Sequence, residues 1–198
     1  GVQMEGWRKI GDPADAAISY SKQGADEIIF LDVVASLYKR NNLIEIVKKV
    51  ASSVFIPLTV GGGIRTMDDV RSLLSNGADK ITLNTAAIEN PSLISEISDV
   101  VGSQATVISI EAVRNQFGEW EAMTDNGRNK TNKEVVLWAK QVEELGAGEI
   151  LLTSIDHDGM GNGYNLELIK IISQSVSIPV IASGGLSNPS HLEDLILL

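Results

Sequence analysis

The sequence predicts an α/β fold in which a parallel sheet closes into a (βα)8 barrel. Three observations predict it. Strand-like and helix-like segments alternate along the whole chain, two halves of the chain repeat each other, and glycines and polar residues recur where the predicted strands end. The alternation requires a parallel sheet, and the repeat favours a closed barrel over an open, doubly wound sheet.

Six short segments are predicted to be buried parallel strands. Each is an aliphatic or β-branched run bounded by turn residues. None alternates polar with apolar residues, as expected where helices cover one face of a strand and a barrel core covers the other. In chain order they are residues 27–32, 56–60, 80–84, 106–111, 149–154 and 178–183.

Helical patterns lie between and around these strands, at residues 13–23, 43–50, 67–75, 91–100, 132–145, 166–173 and 189–197. Three of them follow residues that cap helices well, namely Asp12, Thr66 and Asn90. In the longest, residues 132–145, apolar side chains recur at helical spacing and predict one inward face.

The internal repeat spans two separate blocks. GADEIIFL at 24–31 matches GAGEILLT at 146–153, and IPLTVGGGI at 56–64 matches IPVIASGGL at 178–186. Both pairs are offset by 122 residues (24 to 146, and 56 to 178). Two such half-barrel repeats that close on each other form a TIM barrel. Counted against eight strands, the predicted six are the second to the seventh. We therefore expect residues 1–198 to form one incomplete barrel domain that lacks the first and eighth strands.

The composition excludes several classes of function. The chain has no cysteine, which excludes disulfides and thiolate chemistry, and its two histidines leave little room for a metal centre. A net charge of −10 and a pI of about 4.6 argue against binding nucleic acid. No apolar run approaches the roughly 20 residues of a membrane helix, and no signal-peptide pattern is present. We expect a cytoplasmic protein that acts on a small molecule, without a metal or a cofactor.

Glycines follow two of the predicted strands at matching places in the two halves. Residues 61–63 are all glycine, and Gly184 and Gly185 follow the last strand. Glycine lets a ligand approach the backbone closely, and helix N-terminal amides attract anions. The pair predicts two phosphate sites across the barrel mouth, and hence a bisphosphorylated substrate. The structural alternative is that these glycines only form tight turns.

Carboxylates also end the predicted strands. Asp32 and Glu111 are candidates for general acid–base work, with a helix cap or a salt bridge to an arginine as the structural alternative. Asp156 and Asp158 flank His157, but an Asp before glycine is commonly a turn residue, so this loop is only a weak metal-site candidate.

A charged layer is predicted at the opposite ends of the strands. Glu27, Lys80 and Glu149 each follow a Gly-Ala-Asp or Gly-Ala-Gly and open three different strands. Equivalent positions lie in one layer of a barrel, and that layer is usually aliphatic. The three residues are either a salt-bridge plug that closes the barrel or a gate for a small polar species.

Five segments together resemble the cyclase subunit of imidazole glycerol phosphate synthase: FLDVVAS, IPLTVGGGIRT, GADKITLNTAAIENP, LGAGEILLTSIDHDG and IPVIASGG. The resemblance covers nearly the whole chain, and its motifs are not general features of barrels. It implies a histidine-pathway enzyme that takes ammonia from a glutaminase partner. The ammonia converts a bisphosphorylated ribonucleotide to imidazole glycerol phosphate and aminoimidazole carboxamide ribotide.

The resemblance also implies roles for particular residues. One phosphate would be held by Gly63, Asn84 and Thr85. The other part of the substrate-binding set would be Thr153, Asp158, Gly159, Ser183, Gly184 and Gly185. The charged layer (Glu27, Lys80 and Glu149) matches three of the family's four ammonia-gate residues. The positions that face the glutaminase are matched by Asp79 and Gln104.

Two residues depart from the family pattern. Glu111 stands where the family has the second of its two catalytic aspartates, and Met160 stands where threonine is usual. A glutamate carries its carboxylate about one methylene farther, and a misplacement of ~1 Å can cost ~100-fold in rate. Two alternatives therefore stay open: a paralogue that channels ammonia to sugar amidation in surface-polysaccharide synthesis, and a non-catalytic subunit that activates its glutaminase.

Overall fold

A computed structural model describes residues 2–4, 11–33 and 42–198. Its strands in chain order are β1 (Ile28–Leu31), β2 (Leu58–Gly61), β3 (Lys80–Leu83), β4 (Thr106–Arg114), β5 (Trp120–Thr124), β6 (Asn129–Glu134), β7 (Glu149–Ser154) and β8 (Val180–Ser183). Six of them are parallel and lie side by side in the order β1, β2, β3, β4, β7 and β8. The predicted parallel strands and their order are confirmed, and with the alternating helices they form a TIM-barrel-like sheet.

The strands β5 and β6 form an antiparallel hairpin that extends β4. Glu111 pairs with Met123 across β4 and β5, and Ala122 pairs with Lys133 across β5 and β6. The predicted helix at residues 132–145 is wrong at its start, because residues 129–134 belong to β6. Asn132 has a left-handed backbone (φ 57°), which a helix cannot continue. The Glu134 carboxylate accepts hydrogen bonds from the N–H groups of Val136 and Leu137, and so caps the helix at this point.

The helices of the described residues are α1 (Pro13–Lys22), α2 (Asn42–Ala51), α3 (Met67–Ser75), α4 (Thr85–Glu89), α5 (Ser92–Val101), α6 (Val135–Glu144), α7 (Leu166–Ser173) and α8 (Ser190–Ile196). Two predicted caps are formed: Asp12 accepts from the first turn of α1, and Thr66 makes a capping box with Asp69. The cap predicted at Asn90 is not formed, since α5 begins after Pro91. The short helix α4 was not predicted.

The apolar core lies between the outer faces of the strands and the helices. Ile81, Ile108 and Ile150 on the strands are fully buried, as are Ile94 and Trp138 on the helices. Burial of each such side chain contributes about 1.5–3 kcal/mol to folding. Successive residues of a strand point to opposite faces of the sheet. On each strand, the residues directly before and after the buried isoleucine therefore face the barrel interior. Within the described part of the chain, no helix reaches the length and apolarity of a membrane span.

Candidate active site

A cavity of about 230 Å³ opens where the parallel strands end. Every parallel strand contributes to its wall. Strand β4 does so through Ser109 and Glu111 within the strand, and the other five through residues near or just beyond their carboxyl ends. The polar side chains that line it are Asp32, Arg65, Thr82, Asn84, Thr85, Ser109, Glu111, Asp125, Asn126, Thr153, Asp158 and Ser183. The structure thus brings together most of the mouth residues predicted from the sequence.

One wall of the cavity carries the first predicted anion site. Gly62 and Gly63 follow β2 with left-handed backbones (φ 103° and 69°), and Asn84 and Thr85 follow β3 at the start of α4. A Cβ at Gly62 would lie 2.2 Å from the carbonyl oxygen of Asp32, so this turn accepts glycine only. The close backbone packing places Gly63, Asn84 and Thr85 on one side of the mouth.

Two buried polar atoms on this wall have no hydrogen-bond partner among the described residues. They are the hydroxyl oxygen of Thr82 and the amide oxygen of Asn84. Buried polar atoms are nearly always hydrogen-bonded, because an unsatisfied group loses its interaction with water. Both residues line the cavity, so a polar ligand there would complete their hydrogen bonding.

Glu111 lies deep in the wall, with only 7% of its surface exposed. Burial raises its pKa to about 7. Hydrogen bonds from the Gly127 N–H and the Asn84 side chain stabilise the carboxylate and lower the pKa, but burial outweighs them. The nearby charges of Asp125 and Asp158 add to the rise in pKa. A carboxyl group with this pKa can both donate and accept a proton near neutral pH.

The second predicted anion site is only partly assembled around the same cavity. Thr153, Asp158 and Ser183 line the cavity, while Gly159, Gly184 and Gly185 do not. The two glycines after β8 allow close backbone packing instead: a Cβ at Gly185 would lie 2.0 Å from the Gly163 carbonyl oxygen. Asp158 accepts a 3.3 Å hydrogen bond from the N–H of Met4.

The charged layer assembles at the opposite ends of the strands. Lys80 Nζ lies 3.0 Å from Glu27 Oε2 and 2.7 Å from Glu149 Oε1. Thr59 donates a 2.6 Å hydrogen bond to the other oxygen of Glu27. The second oxygen of Glu149 is buried and has no partner among the described residues. Three side chains far apart in the sequence thus form one partly buried ion cluster, called the charged layer below.

Asp79 and Gln104 are both exposed and stand next to strand starts. Asp79 directly precedes β3, and its carboxylate accepts a 2.8 Å hydrogen bond from the Leu58 N–H at the start of β2. Gln104 lies in a 3-10 turn, Ser103–Ala105, that leads into β4. Both therefore lie at the same end of the sheet as the charged layer.

The loop after β7 is held by local contacts. Asp156 accepts from the Arg114 N–H at 3.2 Å, and His157 Nδ1 lies 2.8 Å from the Gly163 carbonyl oxygen. Met160 is half exposed in this loop. Among residues 2–4, 11–33 and 42–198, no three His, Asp or Glu side chains are grouped to hold a metal ion.

Three residues of the mouth were not predicted from the sequence: Asp125, Asn126 and Gly127, the first three residues of the turn 125–128 between β5 and β6. The Gly127 N–H donates a 2.9 Å hydrogen bond to Glu111 Oε2, and the other two line the cavity. The signal was present, since Asp-Asn-Gly is typical of a hairpin turn with left-handed residues.

Known proteins resemble the chain over nearly all of its length. Residues 1–197 match the family described as histidine biosynthesis protein. The chain is also 60% identical over 186 residues to the imidazole glycerol phosphate synthase subunit HisF of Legionella pneumophila, which covers 94% of this chain and 88% of that protein. With the barrel-type sheet and the polar cavity at its mouth, these matches show that the chain belongs to the histidine biosynthesis protein family.

Proposed function

We propose that the chain is the cyclase subunit of imidazole glycerol phosphate synthase, with residues 1–198 belonging to a single barrel domain. It takes ammonia from a glutaminase partner in the cytoplasm. It uses this ammonia to convert a bisphosphorylated ribonucleotide to imidazole glycerol phosphate and aminoimidazole carboxamide ribotide. The family match and the 60% identity to the Legionella subunit support this assignment.

The observation that carries the proposal is the position of Glu111. Its buried carboxyl group, with a pKa of about 7, shares one cavity with Gly63, Asn84 and Thr85. Ring closure and lyase cleavage both need proton transfers, and a group that titrates near neutral pH is suited to them. A phosphate held at the glycine turn would fix the substrate against this acid. Such positioning is a large part of enzymatic rate enhancement.

The second phosphate group of the substrate is assigned to the opposite side of the mouth. Thr153, Asp158 and Ser183 supply polar groups there. The backbone of Gly159, Gly184 and Gly185, which lies outside the cavity wall, would have to approach the phosphate from behind these side chains. A substrate with phosphates at both ends would span the cavity and bring its middle past Glu111. Thr82 and Asn84, whose buried oxygens lack partners among the described residues, would bind this middle part.

Ammonia is proposed to enter through the charged layer. Glu27, Lys80 and Glu149 lie at the strand starts, and the same inward face continues to the mouth through Thr82, Ser109 and Thr153. Residues two apart on a strand are about 7 Å apart along it. Leu151, which lies between Glu149 and Thr153 on the same inward face of β7, is buried and apolar. The proposed path therefore crosses an apolar level before it reaches the polar side chains of the mouth. The glutaminase would dock over the exposed Asp79 and Gln104.

A second candidate is the paralogue that passes ammonia to sugar amidation. It is favoured by the combination of an assembled charged layer with Glu111 in place of the family's aspartate. Ammonia transfer depends on the strand starts, whereas imidazole formation depends on the mouth. A non-catalytic activator of the glutaminase would also keep the charged layer and lose the mouth chemistry.

The test is production of imidazole glycerol phosphate by the full-length protein from ammonium salt and the bisphosphorylated ribonucleotide. Glu111→Asp should keep or increase the rate, because it restores the shorter acid. Glu111→Gln should nearly abolish the rate, because an amide cannot exchange the proton. A wild-type rate equal to that of Glu111→Gln would overturn the cyclase assignment. If stimulation of a co-expressed glutaminase persisted, the ammonia-channelling alternatives would then be favoured.

A further inference from the structure

The first three residues of the turn between β5 and β6, residues 125–127, lie at the barrel mouth. Strand β5 runs back antiparallel to β4, and Met123 pairs with Glu111. The next residues therefore turn at the level of Glu111 rather than out in solvent. Asp125 and Asn126 line the same cavity as Glu111. We call residues 125–127 the mouth turn.

Each residue of the mouth turn contacts a different part of the barrel. The N–H of Asp125 donates to Thr85 Oγ1 at 3.1 Å, just after β3. The side-chain amide of Asn126 donates to the carbonyl oxygen of Val33, just after β1. The N–H of Gly127 donates to Glu111 Oε2 at 2.9 Å, on β4. Three consecutive residues thus join the ends of three parallel strands.

These contacts decide which atoms face the cavity. Because Thr85 Oγ1 accepts from Asp125, its own hydroxyl proton is left for a different acceptor, such as an anion in the cavity. One carboxylate oxygen of Glu111 is similarly held by Gly127 and is made less basic.

The mouth turn has a backbone that few sequences adopt. Asp125, Asn126 and Gly127 are all left-handed, with φ of 52°, 58° and 76°. Asp, Asn and Gly are the residues that tolerate this conformation. A Cβ at Gly127 would lie 2.9 Å from Ile155 Cδ1, so space as well as conformation favours glycine. On the solvent side, Asn129 donates a 2.6 Å hydrogen bond to the Asp125 carboxylate.

We propose that the mouth turn is a positioning element that sets Glu111 and Thr85 together, so that the acid–base carboxylate and the anion-binding hydroxyl are oriented by the same three residues. The catalytic role of Glu111 and the anion-binding role of Thr85 rest on the proposed function. The hydrogen bonds by which the mouth turn orients both side chains do not depend on it. Asn126 is the positioning residue, because the hydrogen bond of its side chain goes to Val33 just after β1 and ties the turn to that strand.

The test compares four variants, of which two delete one amide side chain each, that of Asn126 in the mouth turn and that of Asn129 at the start of β6. Asn126→Gly removes the bond to Val33 and keeps a left-handed backbone accessible. Asn129→Gly removes the solvent-side bond to Asp125 and serves as the matched control. Thr85→Val removes the acceptor of the Asp125 N–H, and Thr85→Ser keeps it. Thermal unfolding verifies that each variant is folded.

The first readout is the titration of the Glu111 carboxyl group, monitored by NMR on protein with 13C-labelled glutamate. The Glu111 signal is assigned as the one that is absent from the spectrum of Glu111→Gln. This readout requires no turnover. Asn126→Gly and Thr85→Val should move the titration to higher pH, because a loosened turn weakens the Gly127 bond to the carboxylate. Asn129→Gly and Thr85→Ser should leave it in place. The other ionisable groups on the cavity wall, Asp32, Arg65, Asp125 and Asp158, are unchanged in all four variants.

The second readout is cyclisation by the full-length protein. Asn126→Gly should lower kcat/KM roughly 10-fold or more, as expected for misplaced catalytic groups, with a lower kcat and a higher KM. Asn129→Gly should stay within about twofold of wild type. An unmoved Glu111 titration in Asn126→Gly would overturn the positioning role. The Glu111 titration could instead move in Asn126→Gly and Thr85→Val while the wild-type protein shows no cyclisation. That result would contradict the cyclase assignment and would still support the positioning role.

Discussion

Lys80 Nζ lies 2.7 Å from Glu149 Oε1, and the same ammonium reaches Glu27 at 3.0 Å. The three side chains are only 18–29% exposed. Burial lowers the pKa of Lys80, but the hydrogen bonds that its ammonium donates to Glu149 and Glu27 outweigh this effect and hold the pKa above its usual value. The ammonium is therefore charged throughout the neutral range, where the charged layer holds one cation between two carboxylates.

Removing the Lys80 charge should destabilise the protein. Lys80→Met leaves two partly buried carboxylates facing each other, and we expect a loss of about 2–3 kcal/mol in the free energy of unfolding at pH 7. Urea denaturation measures this change. Lys48→Met, which removes an exposed pair with Glu45, is the control and should change stability by less than about 0.5 kcal/mol. Equal losses in the two variants would contradict the burial of the charged layer.

Glu111 should make stability depend on pH with a defined sign. Its folded-state pKa, about 7, lies above the usual glutamate pKa of 4.5, so the folded protein binds this proton more tightly than the unfolded chain does. The contribution of Glu111 to stability is then present below pH ~4.5 and is lost as pH rises through ~7. Glu111→Gln should gain up to about 3 kcal/mol relative to wild type between pH 4.5 and 8. Denaturation curves of both proteins across this range test it, and a constant difference would argue against the raised pKa.

Gly62 should be far less replaceable than a left-handed glycine that has open space around it. A Cβ there would lie 2.2 Å from the Asp32 carbonyl oxygen, and φ is 103°. Gly62→Ala should cost about 3 kcal/mol or more, because both the backbone strain and the clash must be relieved. Gly118→Ala is the control, since Gly118 has φ 83° but open space around it, and it should cost about 1 kcal/mol. Thermal unfolding of the pair separates the clash from the strain.

Gln104 should be a better probe of glutaminase binding than Asp79, because Asp79 also has a structural role. Asp79 caps the Leu58 N–H, so Asp79→Ala would disturb the sheet as well as the surface. Asp79→Asn keeps a side-chain oxygen for that bond and removes the charge. Gln104→Ala and Asp79→Asn should each weaken co-purification of a co-expressed glutaminase about 10-fold, with unchanged unfolding temperatures. Asp68→Asn, an exposed acid on α3, should have no effect. Unweakened binding in both variants would place the partner elsewhere.

The six parallel strands could be predicted because their signal is local. Runs such as those at residues 80–84 and 149–154 are short, aliphatic and bounded by glycine turns. The hairpin was missed because β6, with the sequence NKTNKE, has no apolar alternation, and most of its side chains are exposed or half-buried. The apolar helical pattern that begins at Val135 follows β6 directly. The predicted helix therefore started too early, at residue 132 instead of 135. Only the pairing of β5 with β4 makes this polar segment a strand.

The sequence by itself determined the barrel-type order of strands and helices, the glycine turns at the mouth and the charged residues that open three strands. These follow from periodicity and from the conformational limits of single residues, which act over a few positions. Only the tertiary structure decided that Lys80 joins Glu27 and Glu149, which lie 53 and 69 residues away, and that Gly127 holds Glu111. The pKa of Glu111 is set there as well, because desolvation depends on every element packed around the group and not on its neighbours in the chain.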